Sequence, residues 1–510
     1  MKNNYTDKIV SGSILVFIAL FITAISGYFL RFFLSQTLSV EEFGLFYSIL
    51  VFISFFSIFK DLGLNSAIIK YVPEFIVKNK KQNVKSILTF VIIVELFIAT
   101  IIFLTIFVFS DQIAITYFHT ENASFLLKIF SIIILADTIL LISKSFLQGL
   151  NQIRYYSIIQ PLTVVLCLVN VAILIYLGIV GAVIGYVLGY IIVAILSFFI
   201  ILKVFPLLKI KTKKIIDKNL GKMMMAFGLP VLMGYFGSII LSSIDTIVLT
   251  MFRSLEEVGL YQVALPVSQI LWTYGSALSI VLFPIVSEVL ALGKKKLLSD
   301  ILSISLKISF ILILPFALIG ATFSDSIIRL LFGVVYVPAS FALQILCIGS
   351  IFFTLWAICN TALVGIGKPL VNTKIMAGAA VFALIASILV VNSFGIEGVA
   401  LVLDLSFLIA FLASFIYLKK VAGVRFIDLT TITKSVVGGL IMVVIMILIK
   451  TTLEVGVILE LITSLVVGLS FYMIFILYTK TITKKELEML VNTGLPIPKF
   501  LIKLLSKMAR

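Results

Sequence analysis

Ser39-Val40-Glu41-Glu42-Phe43-Gly44-Leu45-Phe46 reappears 215 residues later as Ser254-Leu255-Glu256-Glu257-Val258-Gly259-Leu260-Tyr261. Two further pairs follow in the same order. Gly149-Leu150-Asn151 matches Gly365-Ile366-Gly367 at an offset of 216, and Gly178-Ile179-Val180-Gly181 matches Gly395-Ile396-Glu397-Gly398 at 217. A near-constant offset over three ordered pairs is the mark of a duplicated unit. Whatever fold the first copy adopts, the second adopts again.

The surroundings of these motifs say what the unit is made of. Of 510 residues, 62% are apolar and 12% charged, with a mean hydropathy of +1.27. Soluble chains carry roughly 45–50% apolar and about 25% charged residues. This composition belongs to an integral membrane protein and excludes a soluble enzyme or a disulfide scaffold. Cys167, Cys347 and Cys359 lie inside apolar runs, and the single histidine, His119, lies in a polar connection. Neither pattern offers a metal or cofactor site.

Fourteen apolar stretches reach the ~20 residues needed to cross the hydrocarbon. They run near 10–34, 43–64, 86–109, 124–147, 155–177, 181–204, 223–251, 258–289, 299–323, 338–364, 372–392, 396–418, 433–452 and 456–479. The first is longer than the apolar region of a signal peptide and reads as a span. With the N-terminus inside, alternate connections divide the charge sharply. The inner segments hold 33 of the 39 Lys and Arg, the outer ones hold Arg31, Lys128, Arg253, Arg329 and Lys450, and Lys60 lies within the second span. Positive residues collect on the cytoplasmic side, and a miscounted helix would invert every later loop. The net charge of +16 therefore reports topology and not nucleic-acid binding. Lys80, Lys213, Lys295 and both termini are expected inside; Glu41, His119 and Glu256 are expected outside. The localisation is the cell (cytoplasmic) membrane.

The expected architecture is an all-α integral membrane protein with about 14 transmembrane helices. Spans 1–6 (residues 1–210) and 7–12 (residues 211–425) form two six-helix lobes. An even number of crossings puts both copies in the same sense, related by a pseudo-twofold along the membrane normal. Spans 13–14 (residues 426–480) are an addition without a counterpart. The segment 481–510 is a cytoplasmic tail. Its Lys499, Lys503 and Lys507, interleaved with Phe500, Leu501, Leu504 and Leu505, make a short basic amphipathic helix for an anionic lipid surface.

Leu30-Arg31, the Ser39–Phe46 motif, Asp61-Leu62-Gly63-Leu64 and Lys70-Tyr71-Val72-Pro73-Glu74 together resemble the polysaccharide-biosynthesis family of repeat-unit flippases. Ser243-Ile244-Asp245 before Glu256-Glu257-Val258-Gly259, and Gly365-Ile366-Gly367-Lys368-Pro369, resemble it too. The resemblance covers spans 1–12. It implies the fold shared by multidrug exporters and oligosaccharide-lipid flippases, two lobes around a central cavity. It also implies a function without catalytic residues or cofactors: moving polyprenyl-diphosphate-linked oligosaccharide from the inner to the outer leaflet for surface glycan assembly. The partners so implied are that substrate, membrane lipids, and glycan polymerase or transferase machinery, with no nucleic acid. The Ala-Asp-Ala-Phe motif of relatives that flip the peptidoglycan precursor is missing from span 2, which weighs against that substrate.

Charges inside the membrane cost ~2.5–3.5 kcal/mol each on insertion scales, so they should face partners or a wet cavity. Arg31, Lys60, Asp61, Lys144 and Arg253 are the cavity candidates, their cations suited to phosphate oxygens. Glu95, Asp137, Asp245 and Asp404 are the carboxylates that could bind a coupling ion or hold packing together. Asp137 and Lys144 lie two turns apart on one helix face. The deepest charges are acidic, which fits a cation-coupled multidrug exporter as an alternative to the flippase. Pro161, Pro230, Pro266, Pro284 and Pro315 mark expected bends, and Gly181, Gly185 and Gly189 form a small-residue stripe for close helix packing.

Overall fold

A computed structural model describes residues 2–205, 210, 218–452 and 457–481. The expected tail helix and Lys213 lie outside the described residues. Among the described residues eighteen α-helices follow one another. The first nine are α1 Lys2–Thr37, α2 Val40–Asp61, α3 Leu64–Val77, α4 Lys81–Val108, α5 Ser110–Thr116, α6 Asn122–Phe130, α7 Ile132–Gly149, α8 Ile153–Leu174 and α9 Gly178–Val204. Then come α10 Lys218–Leu241, α11 Ile244–Phe252, α12 Leu255–Ala291, α13 Lys295–Thr322, α14 Ser324–Leu331, α15 Ser340–Gly365, α16 Pro369–Ala422, α17 Leu429–Thr452 and α18 Val457–Tyr478. No strand occurs among the described residues.

Eleven helical stretches among the described residues are long and apolar enough to cross a membrane. Two of them, Ile153–Val204 and Pro369–Ala422, run to 52 and 54 residues. At 1.5 Å per residue each is more than twice as long as one crossing needs. Each is interrupted near its middle by a glycine of positive φ, Gly178 at 66° and Gly395 at 53°. These are the glycines paired by sequence at an offset of 217. Only glycine takes such a φ without crowding its own Cβ.

Other joints repeat as well. At Asn151 and Gly367 the chain turns through positive φ, and the preceding helix closes with the same bonds. Gln152 N–H donates to the Leu147 carbonyl at 2.9 Å, and Lys368 N–H to Leu363 at 2.9 Å. This is a Schellman closure. Asn79 and Gly293 carry it again, 214 residues apart, with Lys80 N–H on Phe75 (2.8 Å) and Lys294 N–H on Val289 (3.3 Å). Helices α4 and α13 are both 28 residues long and both lead into Phe-Ser-Asp, at 109–111 and 323–325. That fourth sequence pair was legible, but it is too short to find without the register the structure supplies.

The prolines expected to bend helices do not end them. Pro161, Pro230, Pro266, Pro284 and Pro315 all lie inside continuous helices. The interruptions are at Leu62-Gly63, Ser242-Ser243, Gly178 and Gly395. Neighbouring helices and local adjustment can satisfy the carbonyl that a proline frees, so a membrane helix tolerates it.

The chain forms two compact units, Met1–Gly259 and Leu260–Arg510. In the first, α9 packs on α8 through the glycine stripe. A Cβ on Gly181 would meet the Leu174 carbonyl at 1.8 Å, and one on Gly189 would meet the Cys167 sulfur at 2.6 Å. Lipid tails are as apolar as leucine, so such close fit, more than water exclusion, holds membrane helices together. Phe46 adds edge-on contacts to Phe130 (5.1 Å) and Tyr186 (5.6 Å), each worth about 0.5–1.5 kcal/mol. In the second unit, Trp272 stacks on Phe353 at 4.4 Å and meets Phe407 edge-on. Helices α17 and α18 seat on α13 there: Met442, Met446, Tyr472 and Ile311 share one buried cluster, and Tyr472 Oη donates to the Ile311 carbonyl at 3.0 Å.

Candidate substrate and coupling site

The repeated Ser-x-Glu-Glu-x-Gly motifs start α2 and α12. Ser39 Oγ accepts the Glu42 N–H at 3.2 Å while the Glu42 carboxylate accepts the Ser39 N–H at 3.0 Å, a capping box. Ser254 Oγ likewise accepts the Glu257 N–H at 3.3 Å. The motif glycines then let the two helix starts cross at backbone distance. A Cβ on Gly44 would lie 1.9 Å from the Leu255 carbonyl, and one on Gly259 would lie 2.3 Å from the Val40 carbonyl. Gly44 corresponds to Gly259 and Val40 to Leu255, so each copy offers the other the same pair. That exchange is the signature of a local twofold contact.

Around this crossing, Thr250 Oγ1 donates to Ser48 Oγ at 3.2 Å, Tyr117 Oη to the Ile247 carbonyl at 3.1 Å, and His119 Nε2 lies 3.0 Å from the Met251 carbonyl. Arg31 stacks over the Tyr47 ring at 3.9 Å. Arg253 Nε donates to Glu257 at 2.7 Å.

Deeper in the same unit the predicted charges assemble in two groups. Lys60, 1% exposed, reaches Asp137 at 2.6 Å and the Ile134 carbonyl at 3.4 Å. Asp61 and Glu95 meet through a residue that sequence reasoning passed over. Asn65 Nδ2 donates to Asp61 at 2.7 Å and to the two oxygens of Glu95 at 2.9 and 3.1 Å. Glu95 is fully buried. Lys144 donates to Gln160 at 2.6 Å, so Asp137 is bonded to Lys60 and not along its own helix face. Asn65 and Gln160 carry no charge and so raise no flag in a charge count, although Asn65 stands only four residues after Asp61.

Asp245 is 1% exposed at the start of α11 and accepts its neighbour Thr246 N–H at 2.7 Å. Asp404 belongs to the second unit. It is 5% exposed, its Oδ1 lies 1.6 Å from where a Gly349 Cβ would be, and it takes a bond from the Gly349 backbone.

Among the described residues an all-helical chain with eleven stretches fit to cross a membrane defines a polytopic membrane protein. The polysaccharide biosynthesis protein model matches residues 9–290, and an uncharacterized membrane protein of Methanocaldococcus jannaschii is 30% identical across 96% of this chain and 99% of its own length. The chain belongs to the polysaccharide biosynthesis protein family. The MatE model matches residues 230–389. The probable low-salt glycan biosynthesis flippase Agl15 of Haloferax volcanii is 25% identical over 93% of this chain and 98% of that protein. Among solved structures, the lipid II flippase MurJ in an inward closed conformation superposes with a TM-score of 0.75 at 20% identity, covering 91% of this chain and 98% of that one. An inward-facing multidrug resistance MATE family transporter of the MOP superfamily gives 0.65 at 15% identity, covering 80% and 98%. These structural likenesses fix the fold.

Proposed function

We propose that the chain is a flippase that carries a polyprenyl-diphosphate-linked oligosaccharide from the inner to the outer leaflet of the cell membrane, by alternating access. The observation that carries this reading is the family match together with near full-length similarity to a glycan biosynthesis flippase. The fold supports it: the lipid II flippase covers 91% of the chain against 80% for the multidrug transporter. We assign the extra helices α17 and α18 to a groove for the polyprenyl tail.

On this reading Ile153–Val204 and Pro369–Ala422 each cross twice and Lys218–Phe252 crosses once. That gives fourteen crossings, both termini cytoplasmic, and lobes at 1–210 and 211–425 with 426–480 added. The closures at Asn79, Asn151, Gly293 and Gly367 then all fall on the cytoplasmic side. Arg31, Lys60, Lys144 and Arg253 are the cations offered to the diphosphate, Lys60 and Arg253 from within their pairs with Asp137 and Glu257. The Gly44–Gly259 crossing is the outer gate. Glycan polymerase or transferase machinery would take the product on the outer face.

Removing the protein from its cell tests the reading. Lipid-linked oligosaccharide should accumulate facing the cytoplasm while surface glycan falls. The second reading, a cation-coupled multidrug exporter, is favoured by the MatE match over 230–389. It requires the opposite result, namely unchanged surface glycan and increased sensitivity to cationic dyes.

A further inference from the structure

We infer that Trp272, Phe353, Trp356 and Asn360 of the second unit hold an uncharged sugar ring of the cargo. The inference rests on the flippase reading and adds to it where the glycan sits. The chain has two tryptophans, and both are here. Trp272 lies in the middle of α12 and Trp356 well inside α15. Indoles of membrane proteins collect at the water interfaces, where the ring is in apolar surroundings and the N–H stays wet. These two lie deep instead, and each indole N–H is buried with no hydrogen-bond acceptor. Trp356 as a whole is only 8% exposed. Asn360, one turn further on, adds an amide whose Oδ1 is buried and unpartnered too. Unmet buried polar groups are costly, and three in one cluster call for a reason.

The rings form a continuous wall. Trp272 stacks on Phe353 at 4.4 Å with the planes 12° apart, and Phe353 lies 5.6 Å from Trp356. Phe407 of α16 meets all three at 5.1–5.7 Å. Phe353, Trp356 and Asn360 are three and four residues apart, hence on one face of α15. Trp272, Phe353 and Asn360 are half-buried, so the wall keeps an open edge. Two unmet donors need acceptors, which a cation lacks. None of these residues is charged, so a diphosphate would arrive without a counter-charge. A sugar ring answers both conditions. Its C–H face is apolar and suits an aromatic wall, and its hydroxyls accept from an indole N–H and donate to an amide oxygen.

The duplication supplies a second observation. At the 216-residue offset of Gly149 and Gly365, Phe353 and Asn360 stand where the first unit has Asp137 and Lys144. At the 217-residue offset of Gly178 and Gly395, Phe407 stands where it has Tyr190. The same place is thus charged in one copy and aromatic and neutral in the other. The cargo divides in the same way, into a charged diphosphate and a sugar chain. Both indole nitrogens are covered here, so sugar entry requires α12 and α15 to part at this level. Their seam is made of small contacts: a Cβ on Gly275 would lie 3.1 Å from the Thr354 Cα, and Ser279 Oγ donates to the Ala357 carbonyl at 3.2 Å.

The test is intrinsic tryptophan fluorescence of the full chain in lipid nanodiscs, which reports on this wall alone. Two titrants are compared: the polyprenyl-diphosphate oligosaccharide extracted from the protein's own cells, and the same polyprenyl diphosphate without sugar. The sugar-bearing lipid should shift the emission along a saturating curve, and the bare lipid should not. Trp356→Phe keeps a ring and removes the N–H, leaving Trp272 to report. It and Asn360→Ala should each raise the half-saturating concentration of the sugar-bearing lipid about tenfold, the loss of one hydrogen bond. Their affinity for the bare lipid, read by competition with a labelled polyprenyl diphosphate, should stay at the wild-type value. Should Trp356→Phe fail to fold, the half-buried Asn360→Ala decides. Equal emission responses to the two lipids overturn the inference, as do variants that bind the sugar-bearing lipid like wild type. So does a saturating response to tetraethylammonium in place of the sugar-bearing lipid. Translocation by the wild type separates the two readings. A sugar-bearing lipid that is carried across without changing the emission sinks this inference and leaves the flippase reading standing; one that is neither bound nor carried sinks both.

Discussion

Lys60 and Asp137 are unequal partners: the lysine side chain is 1% exposed and the aspartate 38%. Their substitutions should therefore differ in the size of their cost. Asp137→Asn strands a buried ammonium and should cost about 3 kcal/mol, the low end for a broken buried pair. Lys60→Met leaves a carboxylate that still reaches a polar surrounding and should cost less than half as much. Chemical unfolding in micelles measures both; equal losses would refute the asymmetry. A second contrast sets two glycines of similar φ against each other. Gly63→Ala drives a Cβ into the Gly228 carbonyl, whereas Gly178 has nothing within 4 Å of its Cβ position. Gly178, with ψ at −147°, lies in a region that side chains avoid, so Gly178→Ala should cost about 1–3 kcal/mol of backbone strain but still fold, and Gly63→Ala should abolish monodisperse protein in size-exclusion chromatography. The charged residues of the site were legible in the sequence because charge is conspicuous in an apolar run. The amides of Asn65 and Gln160 were not, because their importance lies in what they bridge.

Helices were the readable elements, since long apolar runs have few other solutions in a membrane. Their interruptions were not. Leu62-Gly63 reads as part of an apolar run, and the prolines that look like breaks sit in continuous helices. Helix starts depend on a few polar atoms, and α17 shows the consequence for stability. Asp428 Oδ2 accepts the Thr431 N–H at 3.0 Å and both the Thr430 and Thr431 hydroxyls, with Lys307 at 3.9 Å. Partial burial pushes its carboxyl up, but the threonine bonds and Lys307 outweigh this and hold it at about 2, below the ordinary 3.8. Asp428→Ala should cost about 1 kcal/mol as a lost cap. Because the folded value is depressed, the cap's ionic contribution is full above about pH 4 and fades as pH falls toward 2. Thermal midpoints of wild type and Asp428→Asn should converge over that acid range; a gap that widens there would contradict the assignment.

At the scale of the whole molecule the duplication was visible in three short motifs, and its meaning became physical in the exchanged contacts of Gly44 with Leu255 and Gly259 with Val40. A sequence can show that two segments are alike, but not that they face each other, since facing depends on chain far from both. Two predictions belong here. Single cysteines at 80 and 295 should react with an impermeant thiol reagent only from the cytoplasmic side, and those at 41 and 119 only from outside; any reversal breaks the fourteen-crossing count. Cysteines at 42 and 257, oxidised to a disulfide, should hold the outer crossing shut and stop transport while cargo still binds from inside. The most direct measurement is translocation in proteoliposomes containing the purified chain and a fluorescent polyprenyl-diphosphate oligosaccharide placed in one leaflet. The account predicts that the label becomes reachable by an impermeant quencher on the far side, and that the 42–257 disulfide returns the rate to that of protein-free vesicles. A wild-type rate no faster than protein-free vesicles, in vesicles where the same protein exports a cationic dye, would contradict it.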